Sequence, residues 1–500
     1  AAAMPLRRLC ARGPPSRGIA AARVARLSVP RCGRFGIMWR RARCLVPRRY
    51  VWLPRRYVWS STDWTKRAAE QSGPASPEQA SSLEQAGSAT ARHLAINTRI
   101  LGMKRADEIL AMFEQQPDDF SDVNIATSVH RIARIFRKSA LNSKSDPRLE
   151  QMTTIAAQRI VAANLMRSTE RESATVTRST EWKGRELANL CWGVAKIGNI
   201  RAAPELFDAA ALEISHHGRT FNSQDLVNIL WAYTKQRHSA PAIYENLAWQ
   251  ACLLIAKGST WFSTQELAGI VWAFSNADVA APQLFETVAW EAAKSNRMVD
   301  FHAQDLANMA SSFQKAGVGA PMLFDAIAEE AAKKIKTFNA PALASLVWAF
   351  ARAGADSPTL FEAVALQVPK HIDKFSPQDL ANTAWAFSTM RILAPALFDA
   401  VAAKSFRHIA DFSAQELADI VWAYASGGVA ATPLFDAVAG EALNKMADCN
   451  STNLASIVWA FSTARVDALV LFEVVAAASV EKIETFNAQE LANTVWAFST

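Results

Sequence analysis

Disulfide and zinc chemistry have almost no raw material in this chain. Its six cysteines (Cys10, Cys32, Cys44, Cys191, Cys252 and Cys449) form no C-x-x-C pair, and the last three lie far apart. That scatter excludes a disulfide framework or a zinc-ribbon signature. Glycine is modest, at 19 of 500 residues, and neither G-x-G-x-x-G nor G-x-x-x-x-G-K-[ST] occurs. No nucleotide cradle is therefore spelled out. The eight histidines include the neighbours His216 and His217 but no H-E-x-x-H. No apolar run approaches the ~18 residues that a helical membrane span needs. With no Ser/His/Asp, Cys/His or metal-binding constellation, the expectation is a non-enzyme without cofactor, metal, membrane span or small-molecule substrate.

Acidic residues are missing altogether before Asp63, whereas Arg recurs from Arg7 and Arg8 through Arg56. An Arg-rich, acid-free leader reads as an organelle transit peptide, here expected over residues 1–62. Hydroxyl residues are sparse in it, with only Ser16 and Ser28 before Ser60, which favours the mitochondrion over the chloroplast. An RNA-binding basic arm and translated non-coding sequence are the competing readings; the tandem PRRYVWL–PRRYVW at 47–59 suits the second. Residues 63–104, polar and rich in Ser, Gln and Ala over 65–100, read as a linker.

The formal charge of +8 conceals two opposed parts. Residues 1–180 hold 31 Lys or Arg against 14 Asp or Glu, a balance of +17, while residues 181–500 hold 23 against 32, a balance of −9. Net charge alone thus gives no case for a basic nucleic-acid binder beyond residue 180.

What that second part does have is repetition. The phrase FSPQDLANTAWAF from Phe375 recurs with small changes, and its leucine falls at Leu187, Leu226, Leu267, Leu306, Leu343, Leu380, Leu417, Leu454 and Leu491. The steps are 39, 41 and 39 residues, then 37 five times. A fixed period over nine copies signals a solenoid. A divergent copy starts at Phe120, with Ile125 in the leucine place and His130 in the Trp place. Residues 105–180 are expected to be this outlying repeat, separated from the main array by an irregular Ser/Thr-rich stretch. Residues 181–500 are expected to hold nine repeats, the last ending in mid-helix.

Each copy carries helix punctuation. Ser376 is a good N-cap, Pro377 suits the first helical position, and Asp379 stands three residues on as a capping-box acid, while Phe375 and Leu380 take the two places of a hydrophobic staple. A second helix opens near Pro204, Pro241, Pro282, Pro321, Pro358 and Pro395. The expected fold is all-α, a right-handed α-solenoid of two-helix repeats of 37–41 residues.

On the first helix of each repeat, at ~100° per residue, Leu380, Thr383, Ala384 and Phe387 point to the core. Gln378, Asn382, Ala386 and Thr389 gather opposite, with Trp385 at the border. The Asn382 place varies among small and polar residues: Asn189, Asn228, Asn308, Ser345, Asn382, Asp419, Ser456 and Asn493, with Gly269. The Thr389 place, two turns on, holds Lys196, Lys235, Lys315, Arg352, Thr389, Ser426 and Thr463, with Asn276 and Thr500. Two varying polar columns flanking a small-residue floor at Ala386 form a candidate reader of an extended single strand. Asn, Ser, Asp and Thr can pair with base edges, and Lys and Arg can meet phosphates. The Trp place, filled in eight of nine copies with Ser311 the exception, is expected to pack one repeat on the next; base stacking is the alternative.

The L-A-N-x-x-W-A-[FY] core and the period resemble the octotricopeptide repeat. They also look like the helical repeats that precede RAP domains in organellar RNA proteins. The resemblance covers residues 181–500. It implies a two-helix solenoid that binds single-stranded organellar transcripts, with other RNA-processing proteins as further partners, in RNA processing, stability or translation. The family's Pro-Pro-x-x-Trp near the second helix is replaced here by Pro395-Ala396-Leu397-Phe398, and no RAP domain is visible. An armadillo-like scaffold holding an extended peptide is the other reading, although the units here have two helices and the Asn precedes the Trp.

Overall fold

The computed structural model describes residues 89–135, 146–170, 182–216, 221–258 and 262–500, all within one unit, residues 74–500. The leader expected over residues 1–62 lies outside the described residues. Among the described residues every regular element is a helix, which makes the unit an all-α helical-repeat solenoid.

Helices alternate between two layers, A and B. The nine A helices of the main array are Gly184–Ile197, Ser223–Gln236, Thr264–Ala277, Ala303–Ala316, Ala340–Ala353, Pro377–Met390, Ala414–Gly427, Ser451–Ala464 and Ala488–Ser499. The B helices between them include Ala203–His216, Pro241–Ala256, Pro282–Ala292, Pro321–Lys333, Pro358–His371, Pro395–Arg407, Thr432–Asn444 and Leu469–Glu481. Five B helices begin on the proline itself, where the missing N–H costs nothing and φ is already helical.

The N-cap grammar is realised atom by atom. Ser376 N donates to Asp379 Oδ2 at 3.0 Å, and Asp379 N donates back to Ser376 Oγ at 3.3 Å. The same box closes at Asn222–Asp225, Ser263–Glu266, Ser413–Glu416 and Asn487–Glu490. Each cap contributes about 1 kcal/mol. Burial pushes the Asp225 carboxyl up to about 6, against the Asn222 N–H that stabilises its anion.

Layers A and B are riveted by aromatic pairs at a constant register. An aromatic ring of each B helix meets one on the next A helix edge-on: Phe207–Tyr233 at 4.8 Å, Phe285–Phe313 at 5.0 Å, Phe361–Phe387 at 5.1 Å and Phe435–Phe461 at 5.0 Å. Edge-to-face geometry sets the positive ring edge on the negative face, worth about 0.5–1.5 kcal/mol beyond area burial. Successive A helices lie closer to one another than successive B helices do. The small-residue place of the A helix explains why. Gly193, Ala232, Ala273, Ser312, Ala349, Ala386, Ala423 and Ala460 are all buried, and a Cβ on Gly193 would come within 2.8 Å of Val129 Cγ1 and 3.0 Å of its backbone. Ala386 is therefore no surface floor; it is the seat of the neighbouring A helix.

A second fastening was not anticipated. Residues at or just after the ends of the last six B helices form a period-37 column, Arg297, Lys334, His371, His408, Lys445 and Lys482. Arg297 donates to Phe262 O, and Lys334 to Val299 O and Phe301 O, one repeat back. Lys445 Nζ reaches Ala410 O and Phe412 O, both at 2.6 Å, and Lys482 Nζ reaches Ala447 O and Cys449 O. Hydroxyls join the A layer likewise, with Ser388 Oγ donating to Ala423 O at 2.6 Å and Ser462 Oγ to Ala497 O at 2.8 Å.

The array starts earlier than expected. Residues 89–102, placed in the linker by composition, form the helix Ala89–Gly102, and Asn124 Nδ2 donates to His93 O at 2.9 Å. This helix is half apolar along one face, with Ala95, Ile96 and Ile100 buried; polar neighbours masked that face in the sequence. The divergent repeat, Asp122–Ile135 followed by Pro147–Glu170, is also not set apart. Its first helix packs on Gly184–Ile197 as closely as any A pair, and Glu150 accepts from Arg201 N at 2.9 Å and Ala202 N at 3.2 Å, capping the next B helix.

Seven of the nine A helices of the main array close on a left-handed residue. Gly354 and Gly428 take φ of 65° there at no cost, but Arg237, Asp278, Arg391 and Arg465 take φ of 54–57° in the same place. For residues with a Cβ that conformation costs roughly 1–2 kcal/mol.

Candidate nucleic-acid interface

The Trp column lies along the A layer, and two runs of its rings are in ladder contact. Trp385–Trp422 and Trp422–Trp459 stack with centroids 6.1 and 6.2 Å apart and interplanar angles of 26° and 28°. A second run joins His130, Trp192 and Trp231 at 5.1 and 6.2 Å, so His130 occupies a rung as its register requires. Burial, and then Arg134, Arg185 and Arg131, lower its pKa to about 4, leaving a neutral ring at neutral pH. The indoles thus pack repeat on repeat, yet Trp192, Trp231, Trp272, Trp348, Trp385, Trp422 and Trp459 all keep part of their surface exposed. The ladder breaks at Ser311, whose Oγ is buried without a hydrogen-bond partner.

Residues of the Thr389 place border these rings. Lys196 Nζ lies 5.7 Å from the Trp231 centroid and the Arg352 guanidinium 5.6 Å from that of Trp348, distances at which a cation is attracted to an indole face. Lys315 Nζ donates to Asn276 Oδ1 at 2.7 Å, linking two repeats; burial lowers its pKa and Asp278 opposes that shift. Lys235, Thr389 and Ser426 are exposed, and Thr463 is half-buried. Ser426 Oγ donates to Ala423 O at 3.2 Å.

The Asn382 place lies deeper than a solvent-facing strip. Asn228 and Asn308 are only 9% and 4% exposed, and Asn189, Ser345, Asn382, Asp419, Ser456 and Asn493 are half-buried. Neighbouring A helices approach over it because the Ala386 column is so small. A glutamine one turn earlier donates to the side-chain oxygen: Gln304 to Asn308 at 3.0 Å, Gln415 to Asp419 at 2.8 Å and Gln489 to Asn493 at 2.9 Å. This orients the column and leaves the amide N–H groups of Asn308 and Asn493 for another acceptor. Asp419 is the odd member. Burial pushes its carboxyl up to about 7, with Glu416 adding to the shift and the Gln415 amide opposing it.

Sequence reasoning thus placed two columns on one face, and the structure separates them into a shallow cationic one and a recessed polar one. It held the Trp column as packing with base stacking as the alternative, and it missed the Arg residues closing several A helices. Their signal was present, two residues beyond Thr389 and Thr463, but only the left-handed cap geometry shows where they stand. Among the described residues no group of three or more His, Cys, Asp or Glu could hold a metal ion, and no helix is long and apolar enough to cross a membrane.

A family model described as RNA-editing substrate-binding complex 6 protein matches residues 126–340 and 330–500. The chain belongs to this family. The match begins inside the divergent repeat and runs through the whole array, so the family's shared feature is the solenoid itself. The chain is also similar to a RAP domain-containing protein, chloroplastic, of Oryza sativa subsp. japonica, 24% identical over 174 residues. That alignment covers 33% of this chain and 25% of the rice protein, so the chain spans about a quarter of the length of that relative. The resemblance to RAP-associated helical repeats seen in the sequence agrees with both matches.

Proposed function

We propose that this family member is a non-catalytic organellar protein that holds single-stranded RNA along the A-helix face. In this reading it acts in the processing, stability or translation of that RNA. The observation that carries the proposal is the cationic fringe on the indole column: Lys196 and Arg352 lie against rings of that column, and Lys235 and Lys315 stand in the same place of their repeats. An aromatic platform flanked by cations suits stacked bases and their phosphates. The recessed Asn382 column then reads base edges and the Thr389 column meets the backbone, roughly one nucleotide per repeat, as in other helical-repeat RNA readers. The family's description as an RNA-editing substrate-binding complex protein supports an RNA partner, and the chloroplastic name of the rice relative supports an organelle. The hydroxyl-poor leader favours the mitochondrion, with the chloroplast as the alternative. The peptide-scaffold reading is weaker, because glutamines already engage the Asn and Asp oxygens that an extended peptide's N–H groups would need.

The test is a titration of random-sequence single-stranded RNA with the full chain across a salt series. The comparison is a variant with Lys196, Lys235, Lys315 and Arg352 all changed to Ala. Loss of about ten-fold or more in affinity, with a log–log salt slope shallower by about 3, is expected if four phosphates are released. Equal affinity and slope for the two proteins would move binding to the basic leader and end the proposal. Single changes refine it: Asn382→Ala should alter preference at one base, and Lys235→Ala should weaken all sequences alike.

A further inference from the structure

We infer that Arg237, Arg391 and Arg465 are phosphate-contact residues, the last two carrying the RNA-binding edge into the C-terminal half of the array. This rests on the RNA reading above, and assigns residues outside the two columns that reading used. Three observations converge on it.

The first is conformational. The residue that closes an A helix is Gly at Gly317, Gly354 and Gly428, with φ of 65–68°, yet Arg at Arg237, Arg391 and Arg465, with φ of 54–57°. Left-handed closure suits Gly and, less well, Asn; arginine bears a backbone cost there that glycine avoids. A side chain retained against a backbone preference points to a use for that side chain.

The second is placement. Six arginines lie between residues 221 and 500, and four of them, Arg237, Arg352, Arg391 and Arg465, stand at the ends of A helices. The other two donate to backbone carbonyls, Arg297 to Phe262 O one repeat back and Arg407 to Ala403 O on its own helix. Arg237, Arg391 and Arg465 are exposed, and among the described residues their guanidinium groups have no hydrogen bond or ion pair.

The third is complementarity between two columns. Where the last turn of the A helix supplies the cation, as at Lys315 and Arg352, the closing residue two positions on is Gly317 or Gly354. Where the last turn offers Thr389 or Thr463, the closing residue is Arg391 or Arg465. The repeat at Lys235 has both cations, the one at Ser426 has neither, and Asp278 places an acid there. A cation near a helix C-terminus also favours the helix dipole, but a lysine in the last turn achieves that without left-handed backbone, so the dipole alone does not select arginine at the closing position. A guanidinium fork matches two phosphate oxygens at once.

The closing experiment compares the full chain with the double variant Arg391→Gly/Arg465→Gly, and with Arg391→Lys/Arg465→Lys, by single-stranded RNA titration over salt and by thermal melting. The glycine pair should melt at the same temperature or higher, because left-handed strain is relieved. It should bind about 5- to 20-fold more weakly, with a salt slope shallower by about 1.4 for two lost phosphates. The lysine pair should keep most of the slope and recover part of the affinity. If the wild-type chain binds RNA and the glycine pair matches it in affinity and slope, the arginines are helix closures and the inference falls alone. If the wild-type chain binds no RNA, the inference and the reading beneath it fall together.

Discussion

The A layer and the B layer are built from the same repeat, yet they use positive charge in opposite ways. On the B side, cations are consumed by the fold: Lys334, Lys445 and Lys482 hold backbone carbonyls one repeat back, Lys294 binds Glu291 at 2.6 Å and Lys333 binds Glu329 at 2.7 Å. On the A side, Lys235, Arg391 and Arg465 remain exposed beside a ladder of indoles. The balance of −9 over residues 181–500 is therefore a poor guide to the interface. Cations paired with carboxylates contribute little to the field a polyanion meets, and the exposed cations that end the A helices stand beside the indole column.

The largest effect expected from breaking this division is on A-layer packing. Gly193→Leu forces a side chain into the Val129 backbone and should destabilise the array by about 3 kcal/mol or more, since overpacking at a backbone contact cannot be relieved by a rotamer change. The loss should appear in calorimetry as an early transition of the N-terminal repeats, because each repeat is held only by its neighbours. An unchanged melting profile would mean the A helices are not seated through this column.

Asp419→Asn comes next and is a pH experiment. The native carboxyl, raised to about 7 by burial, binds its proton more tightly than the unfolded chain does. Its contribution is full below the unfolded value near 4 and is lost as pH rises to about 7. The asparagine variant should therefore gain stability relative to wild type on going from pH 5 to pH 8, by about 1–3 kcal/mol at the upper end. A gain that is the same at both pH values would show that the carboxyl is not the cause.

The smallest and most discriminating comparison pairs the two layers directly. Lys445→Met keeps the aliphatic stem and removes two carbonyl contacts, so it should cost about 1 kcal/mol of stability and leave RNA affinity and its salt slope unchanged. Lys235→Ala should do the reverse, leaving denaturant midpoints within about 0.5 kcal/mol of wild type while weakening RNA binding. Crossed outcomes, with Lys445→Met losing RNA and Lys235→Ala losing stability, would erase the distinction between the layers.

Much of the architecture was legible in the chain because it is local. Ser376, Pro377 and Asp379 cap a helix by rules that operate within four residues, and Phe375 and Leu380 are both buried where the staple puts them. The first repeats were less legible. Ala89–Gly102 carries Asn97, Thr98 and Arg99 among its apolar residues, and its partner helix lies 20 residues away. The candidate site was legible by half. The cationic and polar columns follow from helical periodicity, but a helical wheel drawn for one helix treats everything opposite the core as solvent. In the array that side is divided between neighbouring A helices and solvent, so Asn308 is buried while Thr389 is exposed.

The sequence by itself determined the period, the two-helix unit, the caps and the aromatic rivets, because each depends on contacts within one repeat or one step along it. Only the tertiary structure decided what the outward residues face. It turned Ala386 into a helix seat, recessed Asn228 and Asn308 behind it, and aligned the tryptophans into ladder runs. It also bound Lys334, Lys445 and Lys482 to carbonyls one repeat back and left Lys235, Arg391 and Arg465 exposed at the A-helix ends. Those outcomes depend on how closely successive A helices approach, a distance set by the summed packing of side chains from three repeats, and no single stretch of sequence encodes it.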